Sequence, residues 1–133
     1  MTKIEIVESF IQAINDHNVD KIYSLMSEDH IFIDGYGDKH IGKTGMKEGW
    51  HQYYKIFPDY KVEITDVLEN DSIIGLFGYA SATYKNIKDE RKSNFWRTTA
   101  AWKAKVEDKK IKYWQVFCDY TRLQAIIDKN QIN

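Results

Sequence analysis

The sequence predicts an α+β fold in which helices pack on one curved sheet, and two observations carry that prediction. Apolar residues recur mainly with helical spacing up to Pro58, the only proline. After Pro58 the chain consists mostly of long segments in which apolar and polar residues alternate, as they do in strands. Helices that precede a run of strands are typical of α+β proteins, because the apolar face of a sheet must be covered by a second layer.

At 133 residues the chain is long enough for one hydrophobic core, and we expect a single domain over residues 1–133. The predicted order is α-α-β-α-β-β-β-β with a short C-terminal helix. We expect a cone-shaped, curved antiparallel or mixed sheet wrapped around the N-terminal helices, since long strands of this kind curl. A curled sheet over a helix leaves an open mouth, so this fold class predicts a pocket.

Two short helices are predicted before residue 30. Thr2 and Glu5 form a capping box at the start of the first helix. Its apolar face consists of Ile4, Val7, Phe10, Ile11 and Ile14. Asn18 caps the second helix, and the turn Ser27-Glu28-Asp29 ends it. The apolar residues of this second helix are Val19, Ile22, Tyr23, Leu25 and Met26.

A strand, a hairpin return and a third helix are predicted between residue 30 and Pro58. The strand is His30–Asp34, and Lys39–Gly42 returns beside it. Thr44 caps the third helix, and Pro58 ends it because proline has no amide hydrogen. This helix carries a mostly aromatic stripe of Met46, Trp50, Tyr53, Tyr54 and Phe57.

Four long strands and a closing helix are predicted in the second half of the chain. The strands are Tyr60–Asp66, Ile73–Tyr84, Phe95–Val106 and Ile111–Asp119, and the helix is Thr121–Asp128. Lys85–Ser93 is a charged connection between the second and third of these strands. The strand Ile73–Tyr84 has little charge, which predicts that both of its faces are covered.

The composition excludes several classes of function. A net charge of −1 offers no overall field for nucleic acid, and the lysines between residues 103 and 112 fit a solvated strand face and turn. Cys118 is the only cysteine, so an intrachain disulfide is impossible and a reducing compartment is suitable. The chain has no signal-peptide-like start and no run of about 18 apolar residues, so we expect a cytoplasmic protein that does not enter membranes.

No metal or organic cofactor is expected. His30, His40 and His51 are the candidate metal ligands, but no pair has i, i+4 spacing with a third ligand nearby. The sequence also has no phosphate-binding glycine loop and no nucleophile elbow.

Four stretches of the sequence resemble the SnoaL-like branch of the nuclear transport factor 2-like superfamily, which has a cystatin-like fold. They are Leu25–His30, Ile33-Asp34-Gly35, His40–Gly45 and Lys110–Asp119. The resemblance implies a cone-shaped α+β barrel that encloses a ligand cavity and forms a homodimer through the outer face of the sheet. It implies little about chemistry, because this fold hosts isomerases, polyketide cyclases, epoxide hydrolases, dehydratases and non-enzymes.

Asp34 is the first candidate catalytic residue. It ends a strand before a glycine turn, and in the ketosteroid isomerase branch the matching aspartate moves a proton next to a carbonyl group. A carboxylate beside apolar walls can become a general base in this way. The alternative is that Asp34 caps the turn before Gly35, as aspartates often do.

Two positions depart from the isomerase pattern. That branch stabilises the enolate oxygen with a tyrosine on the first helix and a carboxylate on a late strand. The corresponding places in this chain fall near Phe10, which has no hydrogen to donate, and near Trp102, which offers only an indole N–H. The sequence therefore does not support steroid isomerisation.

Asp119 is the second candidate catalytic residue, since SnoaL-like cyclases carry an acid/base aspartate near the end of the last strand. The segment from Trp114 to Asp119 has one residue more than the family pattern Trp-x-Val-x-Asp. Either a bulge restores the register or Asp119 lies off the site. By strand parity Gln115 shares a face with Asp119, so both residues line the cavity if that face points inward. Alternatively, Asp119 caps the closing helix near Thr121.

An aromatic lining would suit a flat, hydrophobic ligand. The candidate ligand-binding residues are Phe10, Trp50, Tyr53, Phe57, Trp96, Trp102, Gln115 and Phe117. The alternative for most of the aromatic residues in this set is a place in the hydrophobic core.

These observations predict a small-molecule-binding protein with a hydrophobic ligand in the cone. As an enzyme it would be a cofactor-independent cyclase, isomerase or dehydratase that uses a carboxylate general acid/base on a hydrophobic carbonyl substrate. The alternative is a non-catalytic ligand-binding or dimerisation module of the same fold, which the departures at Phe10 and Trp102 favour. An epoxide hydrolase needs an Asp-Arg-Asp set, and Arg97 lies on the strand face opposite Trp96, which disfavours that reading.

Overall fold

The computed structural model describes residues 1–85 and 91–131, and it confirms the α+β fold. The helices are α1 (Lys3–Asn15), α2 (Val19–Leu25), α3 (Lys43–Ile56), α4 (Arg91–Asn94) and α5 (Thr121–Gln131). The strands are β1 (Met26–Ile33), β2 (Lys39–Ile41), β3 (Lys61–Glu69), β4 (Ile74–Thr83), β5 (Phe95–Glu107) and β6 (Lys110–Cys118). Residues 86–90 of the predicted charged connection Lys85–Ser93 lie outside the described residues.

The six strands form one curved, open, mixed sheet in the order β2-β1-β6-β5-β4-β3. Strands β3 to β6 follow each other as antiparallel neighbours, as the alternating pattern predicts. The sheet is mixed because β1, from the first third of the chain, pairs in parallel with β6. Helix α1 packs against β3, β5 and β6.

The hydrophobic core lies between the helices and the inner face of the sheet. On α1 the buried residues are Ile6, Val7, Phe10, Ile11, Ala13 and Ile14, which confirms the apolar face expected from the spacing. On β5 the inner face consists of alternate residues, and Trp96, Ala100, Trp102, Ala104 and Val106 are buried. The predicted capping box between Thr2 and Glu5 is also present at the start of α1.

Two predicted helix ends are wrong. Helix α2 ends at Leu25, and Met26 begins β1, so Ser27-Glu28-Asp29 belongs to a strand rather than to a turn. The reason is the parallel pairing with β6, which holds Met26 opposite Ile111 and leaves a bulge before Ile31. Helix α3 is capped by Gly42 and not by Thr44, because the cap residue has a φ of +95°, which glycine adopts without strain.

In a single chain the outer face of the sheet is exposed to solvent. The prediction that β4 is covered on both faces is therefore wrong for the single chain. Phe77 on β4 is 42% exposed and Phe117 on β6 is 48% exposed. Ala101 lies between them, because the register aligns it with both phenylalanines. No helix among the described residues is long and apolar enough to cross a membrane.

Candidate functional site

A cavity of about 510 Å³ lies between α3 and the inner face of the sheet. Trp102 of β5 and the β6 residues Trp114 and Val116 form its wall on the sheet side. Tyr36 and Ile41 also line it and are 63% and 70% exposed, so they mark the opening to solvent. The volume lies in the range of small-molecule sites, about 300–1,000 Å³.

Helix α3 forms the opposite wall with residues that recur at helical spacing. These are Gly45, Met46, Gly49, Trp50 and Tyr53, preceded by the cap residue Gly42. A Cβ atom added at Gly45 or Gly49 would meet no other atom within 4 Å. The two helical glycines therefore leave space open beside the helix, while Trp50 and Tyr53 supply aromatic walls.

Three rings pack together at the inner end of this wall. The ring of Tyr53 lies 6.0 Å from the ring of Trp50 at an angle of 79°, and 5.0 Å from that of Tyr60 at 89°. Burial raises the pKa of both tyrosine hydroxyls, and the neighbouring tyrosines raise that of Tyr53 further. Both hydroxyls therefore stay protonated at neutral pH and can donate hydrogen bonds.

Asp34 lines the cavity and organises the loop that follows β1. Its Oδ1 accepts hydrogen bonds from the amides of Tyr36 and Asp38, both at 3.0 Å. Its Oδ2 lies 3.0 Å from Nε2 of His40, and His40 also lines the cavity. Asp34 thus caps the turn before Gly35 and, with the same carboxylate, holds a histidine.

The charge of Asp34 follows from these contacts. Partial burial raises the pKa of the carboxyl, but the hydrogen bonds from His40, Asp38 and Tyr36 outweigh it, and the net pKa lies below the usual 3.8. Asp34 is therefore a carboxylate that can only accept hydrogen bonds. Because it only accepts, Nε2 of His40 must carry the shared proton.

His40 is held in place on two sides. Its ring stacks on Phe32 with centroids 5.6 Å apart, since the hairpin register places the two residues opposite each other. Its side chain is 48% exposed, and Nδ1 makes no hydrogen bond to the described residues. In the neutral ring Nδ1 carries the lone pair, so it is the ring nitrogen that can accept a proton.

Four of the predicted site residues meet at this cavity: Asp34, Trp50, Tyr53 and Trp102. Phe10, Phe57 and Trp96 lie in the hydrophobic core instead. Phe10 packs against Trp114 with ring centroids 5.0 Å apart, and Phe57 packs against Trp96 at 5.7 Å. These three rings support the cavity walls from behind.

The face of β6 that carries Gln115 and Phe117 points outward. Trp114 and Val116 are buried on the inner face, whereas Phe117 is exposed and Gln115 pairs with the hydroxyl of Tyr113. Both faces of this strand contain apolar residues, so alternation alone does not tell which one faces the core. Gln115 and Phe117 are thus placed away from the cavity.

Asp119 also lies outside the cavity. The strand pairs with β5 without a bulge from Trp114 to Cys118, so the extra residue is not absorbed. The carboxylate accepts hydrogen bonds from the amide and hydroxyl of Thr121, at 2.9 and 2.6 Å, and these bonds lower its pKa. Asp119 therefore has the local arrangement of a helix cap, the alternative considered from the sequence.

Several cavity residues escaped the sequence reasoning. The most important is His40, which the sequence indicates only as a candidate metal ligand. The signal that could have found it is the hairpin, which pairs position 40 with Phe32, close to Asp34. Tyr60 precedes β3, and Tyr120 follows β6 and packs its ring on Gly35. Among the described residues no three His, Cys, Asp or Glu side chains are grouped so as to hold a metal ion.

Comparisons with known proteins agree with this architecture. A crystal structure from Catenulispora acidiphila, a protein with a ketosteroid isomerase-like fold in complex with trimethylamine, matches with a TM-score of 0.80 and 15% identity, over 93% of this chain and 92% of that one. A candidate SnoaL-like polyketide cyclase from Shewanella denitrificans matches with a TM-score of 0.79 and 10% identity, over 94% and 96%.

IdmH from Streptomyces antibioticus, another candidate polyketide cyclase, matches with a TM-score of 0.78 and 14% identity, over 96% of this chain and 99% of that one. At these identities the likeness shows the fold. No curated protein matches the sequence. The profile of the SnoaL-like domain matches residues 7–114, which is most of the sequence. The chain, with its cone-shaped sheet and lined cavity, therefore belongs to the SnoaL-like family.

Proposed function

We propose that this protein binds a small hydrophobic organic molecule in the cavity and catalyses a cofactor-independent proton transfer on it. The observation that carries the proposal is the Asp34–His40 pair at a cavity of about 510 Å³ with mainly apolar and aromatic walls. A carbonyl compound with an acidic neighbouring C–H is the substrate class, and the reaction is an isomerisation, dehydration or aldol-type cyclisation.

His40 is the proton acceptor in this proposal, and Asp34 is its positioning partner. Nδ1 of His40 takes the proton from the carbon next to the carbonyl, and the electron pair moves onto the carbonyl oxygen. Asp34 holds Nε2–H and stabilises the imidazolium that forms. Tyr53 and Tyr60 remain protonated and supply donors for the developing enolate oxygen. The proton returns to a different atom of the substrate, so no oxidant or cofactor is needed.

Known relatives support a small organic ligand. Two of the similar structures are candidate polyketide cyclases, and a third is a complex with trimethylamine. For this chain they support a small organic molecule as the ligand. The proposed reaction rests on the geometry of the chain's own residues. A cytoplasmic location belongs to the same proposal and is supported by the single, unpaired Cys118.

Hydrogen–deuterium exchange tests the catalytic part of the proposal. In D₂O the protein should accelerate exchange at the carbon next to the carbonyl of 2-tetralone, a flat aromatic ketone, as followed by ¹H NMR. His40→Gln should lower the exchange rate by about 100-fold, the usual scale for a general base. Asp34→Asn should lower it by a smaller factor, because the base remains but its tautomer is no longer fixed.

His51→Gln is the matched control, since His51 is an exposed histidine on α3 that does not line the cavity. This variant should exchange 2-tetralone at the wild-type rate. Wild-type rates for His40→Gln in the presence of saturating ketone would rule out His40 as the base.

A non-catalytic ligand-binding module is the second candidate function. It is favoured by the hydrogen bonds of Asp34, which are those of a turn cap, and by the exposure of His40 to solvent. Binding of 2-tetralone measured by calorimetry, together with exchange no faster than in buffer, would select this candidate over the enzyme.

A homodimer through the outer face of the sheet is part of the proposed assembly. Phe77, Ala101 and Phe117 lie side by side across β4, β5 and β6, and both phenylalanines are exposed. Leu68 at the end of β3 is 67% exposed. An apolar patch of this kind on a sheet usually marks an interface.

A further inference from the structure

The walls of the cavity are unusually rich in aromatic faces. Eight of the sixteen residues that line it are Phe, Tyr or Trp, including three of the four tryptophans in the sequence. The face of an aromatic ring carries partial negative charge and attracts cations, and tryptophan does so most strongly.

Three of these rings form a corner. Tyr53 stands nearly perpendicular to both Trp50 and Tyr60, at 79° and 89°. Rings set at such angles present surfaces in different directions, so a compact round group beside them meets more than one ring.

Among the described residues that line the cavity, Asp34 is the only one with a full charge when His40 is neutral. The hydrogen bonds that hold its pKa below the usual value keep it a carboxylate at neutral pH. It lies beside Tyr36, whose ring also lines the opening. A negative charge at a partly desolvated site attracts a cation over several ångströms.

The two lysines in the first half of α3 do not offset this charge within the cavity. Nζ of Lys43 lies 3.4 Å from Glu28 and 4.3 Å from the ring centroid of Tyr23. Nζ of Lys47 lies 3.3 Å from Asp20 and also faces Tyr23, at 4.9 Å. Both ammonium groups are therefore directed at α2 and β1, and neither lysine lines the cavity.

We infer that the ligand of this cavity carries an alkylated ammonium group, which the aromatic rings and the Asp34 carboxylate hold together. The inference rests on the proposed ligand-binding function and adds a cationic group to the hydrophobic carbonyl compound proposed as its ligand. The aromatic walls replace the water around the methyl groups, and the carboxylate supplies the counter-charge. An anionic ligand of the same size is disfavoured, because it would face Asp34 without a cation in the wall.

Two molecules of equal shape test the inference. Benzyltrimethylammonium carries the charge, and neopentylbenzene is the same molecule with carbon in place of nitrogen. Isothermal titration calorimetry, with competition for the less soluble hydrocarbon, gives both dissociation constants. The cation should bind the wild-type protein at least about tenfold more tightly than the hydrocarbon.

Two variants identify the source of the preference. Asp34→Asn removes the charge but keeps an oxygen for the amides of Tyr36 and Asp38, and it should weaken the cation by about three- to tenfold. Tyr36→Leu replaces an exposed aromatic ring with a smaller aliphatic group and should also weaken binding of the cation. In both variants the affinity for benzyltrimethylammonium should fall by a larger factor than the affinity for neopentylbenzene.

Asp119→Asn is the matched control, because Asp119 also caps a local turn but lies outside the cavity. It should bind both molecules as the wild type does. Equal or tighter binding of neopentylbenzene by the wild type overturns the ammonium inference and leaves the proposed hydrophobic site standing. Absence of binding by both molecules, with a folded protein shown by circular dichroism, overturns the inference and the ligand-binding proposal together.

Discussion

His30 is an ionisable side chain sealed in the hydrophobic core. It is 0% exposed, its Nδ1 lies 2.7 Å from the carbonyl oxygen of Ile111, and its ring faces Phe10. The carbonyl accepts a hydrogen bond, so Nδ1 carries the proton, and Nε2 is buried without a partner. Burial lowers the pKa of His30 below the usual 6.5 despite the opposing effect of the Ile111 carbonyl.

The stability of the protein should depend on pH, because the folded and unfolded states bind different numbers of protons at His30. Below pH 6.5 the unfolded chain takes up a proton at residue 30 before the folded protein does, so the free energy of unfolding decreases as the pH falls. The decrease begins above the range in which Asp and Glu titrate, near 3.8 and 4.5. Urea titrations between pH 7 and pH 5 should show this loss of stability in the wild type.

His30→Gln should make the stability less dependent on pH in this window, because an amide can still donate to the Ile111 carbonyl and has no proton to gain. His51→Gln, which changes an exposed histidine, should keep the wild-type slope. Equal slopes for the wild type and His30→Gln would show that another group is responsible.

Helix α3 forms one wall of the cavity and contains two glycines, Gly45 and Gly49, in its interior. Gly45 and Gly49 have no positive φ and adjoin open space, so the backbone does not require them. Glycine inside a helix costs about 1 kcal/mol relative to alanine. This helix is therefore less stable than its length allows, and the structural benefit is the volume beside Trp50 and Tyr53.

Filling that volume separates stability from binding. Gly49→Ala should raise the free energy of unfolding by about 1 kcal/mol, since the helix propensity improves and no atom lies within 4 Å of the new Cβ. Gly49→Leu should gain a similar amount and also reduce binding of 2-tetralone by at least about tenfold, because the side chain occupies the cavity. Chemical denaturation and calorimetry measure the two effects.

Gly49→Ala is itself the control for Gly49→Leu, because both improve the helix and only the larger side chain obstructs the cavity. Unchanged ligand affinity in Gly49→Leu would mean that the ligand does not use the space beside α3.

At the scale of the whole molecule, the outer face of the sheet is the proposed dimer interface. Phe77→Asp places a charge in the apolar patch formed with Ala101 and Phe117, so a dimer should dissociate. Sedimentation velocity should show a dimeric wild type and a monomeric variant. Ile56→Asp, at an exposed apolar residue of α3, should stay dimeric. A monomeric wild type would refute the proposed interface.

Most of the fold could be predicted from local patterns. The amphipathic α1, the stop at Pro58 and the alternation of β5 are set by neighbours in sequence, and each is found where expected. The parallel pairing of β1 with β6 could not be predicted from the sequence, because pairing between strands that are distant in the chain produces no local periodicity. That pairing is also the reason why Ser27-Glu28-Asp29 is a strand.

The site was predictable only in part, for physical reasons that differ between residues. Asp34 could be predicted from its place before a glycine turn, and Trp50 and Tyr53 from their helical spacing on one face of α3; all three line the cavity. The prediction put Gln115 in the cavity, but the structure places it outside. Both faces of β6 are partly apolar, so the alternation shows which residues share a face but not which face points inward. His40 acquires its role from a hydrogen bond to Asp34, which exists only after the hairpin has formed.

The parallel pairing of β1 with β6 also determines when both walls of the cavity are in place. Strands β3 to β6 each pair with the next strand along the chain, but Ile31 must find Tyr113 near the end of the chain. Closing so long a loop is slow relative to hairpin formation. During synthesis the Asp34 hairpin and α3 leave the ribosome well before Trp114 and Val116 exist. A nascent chain that ends before β6 therefore has the α3 wall of the cavity but lacks the Trp114 and Val116 wall.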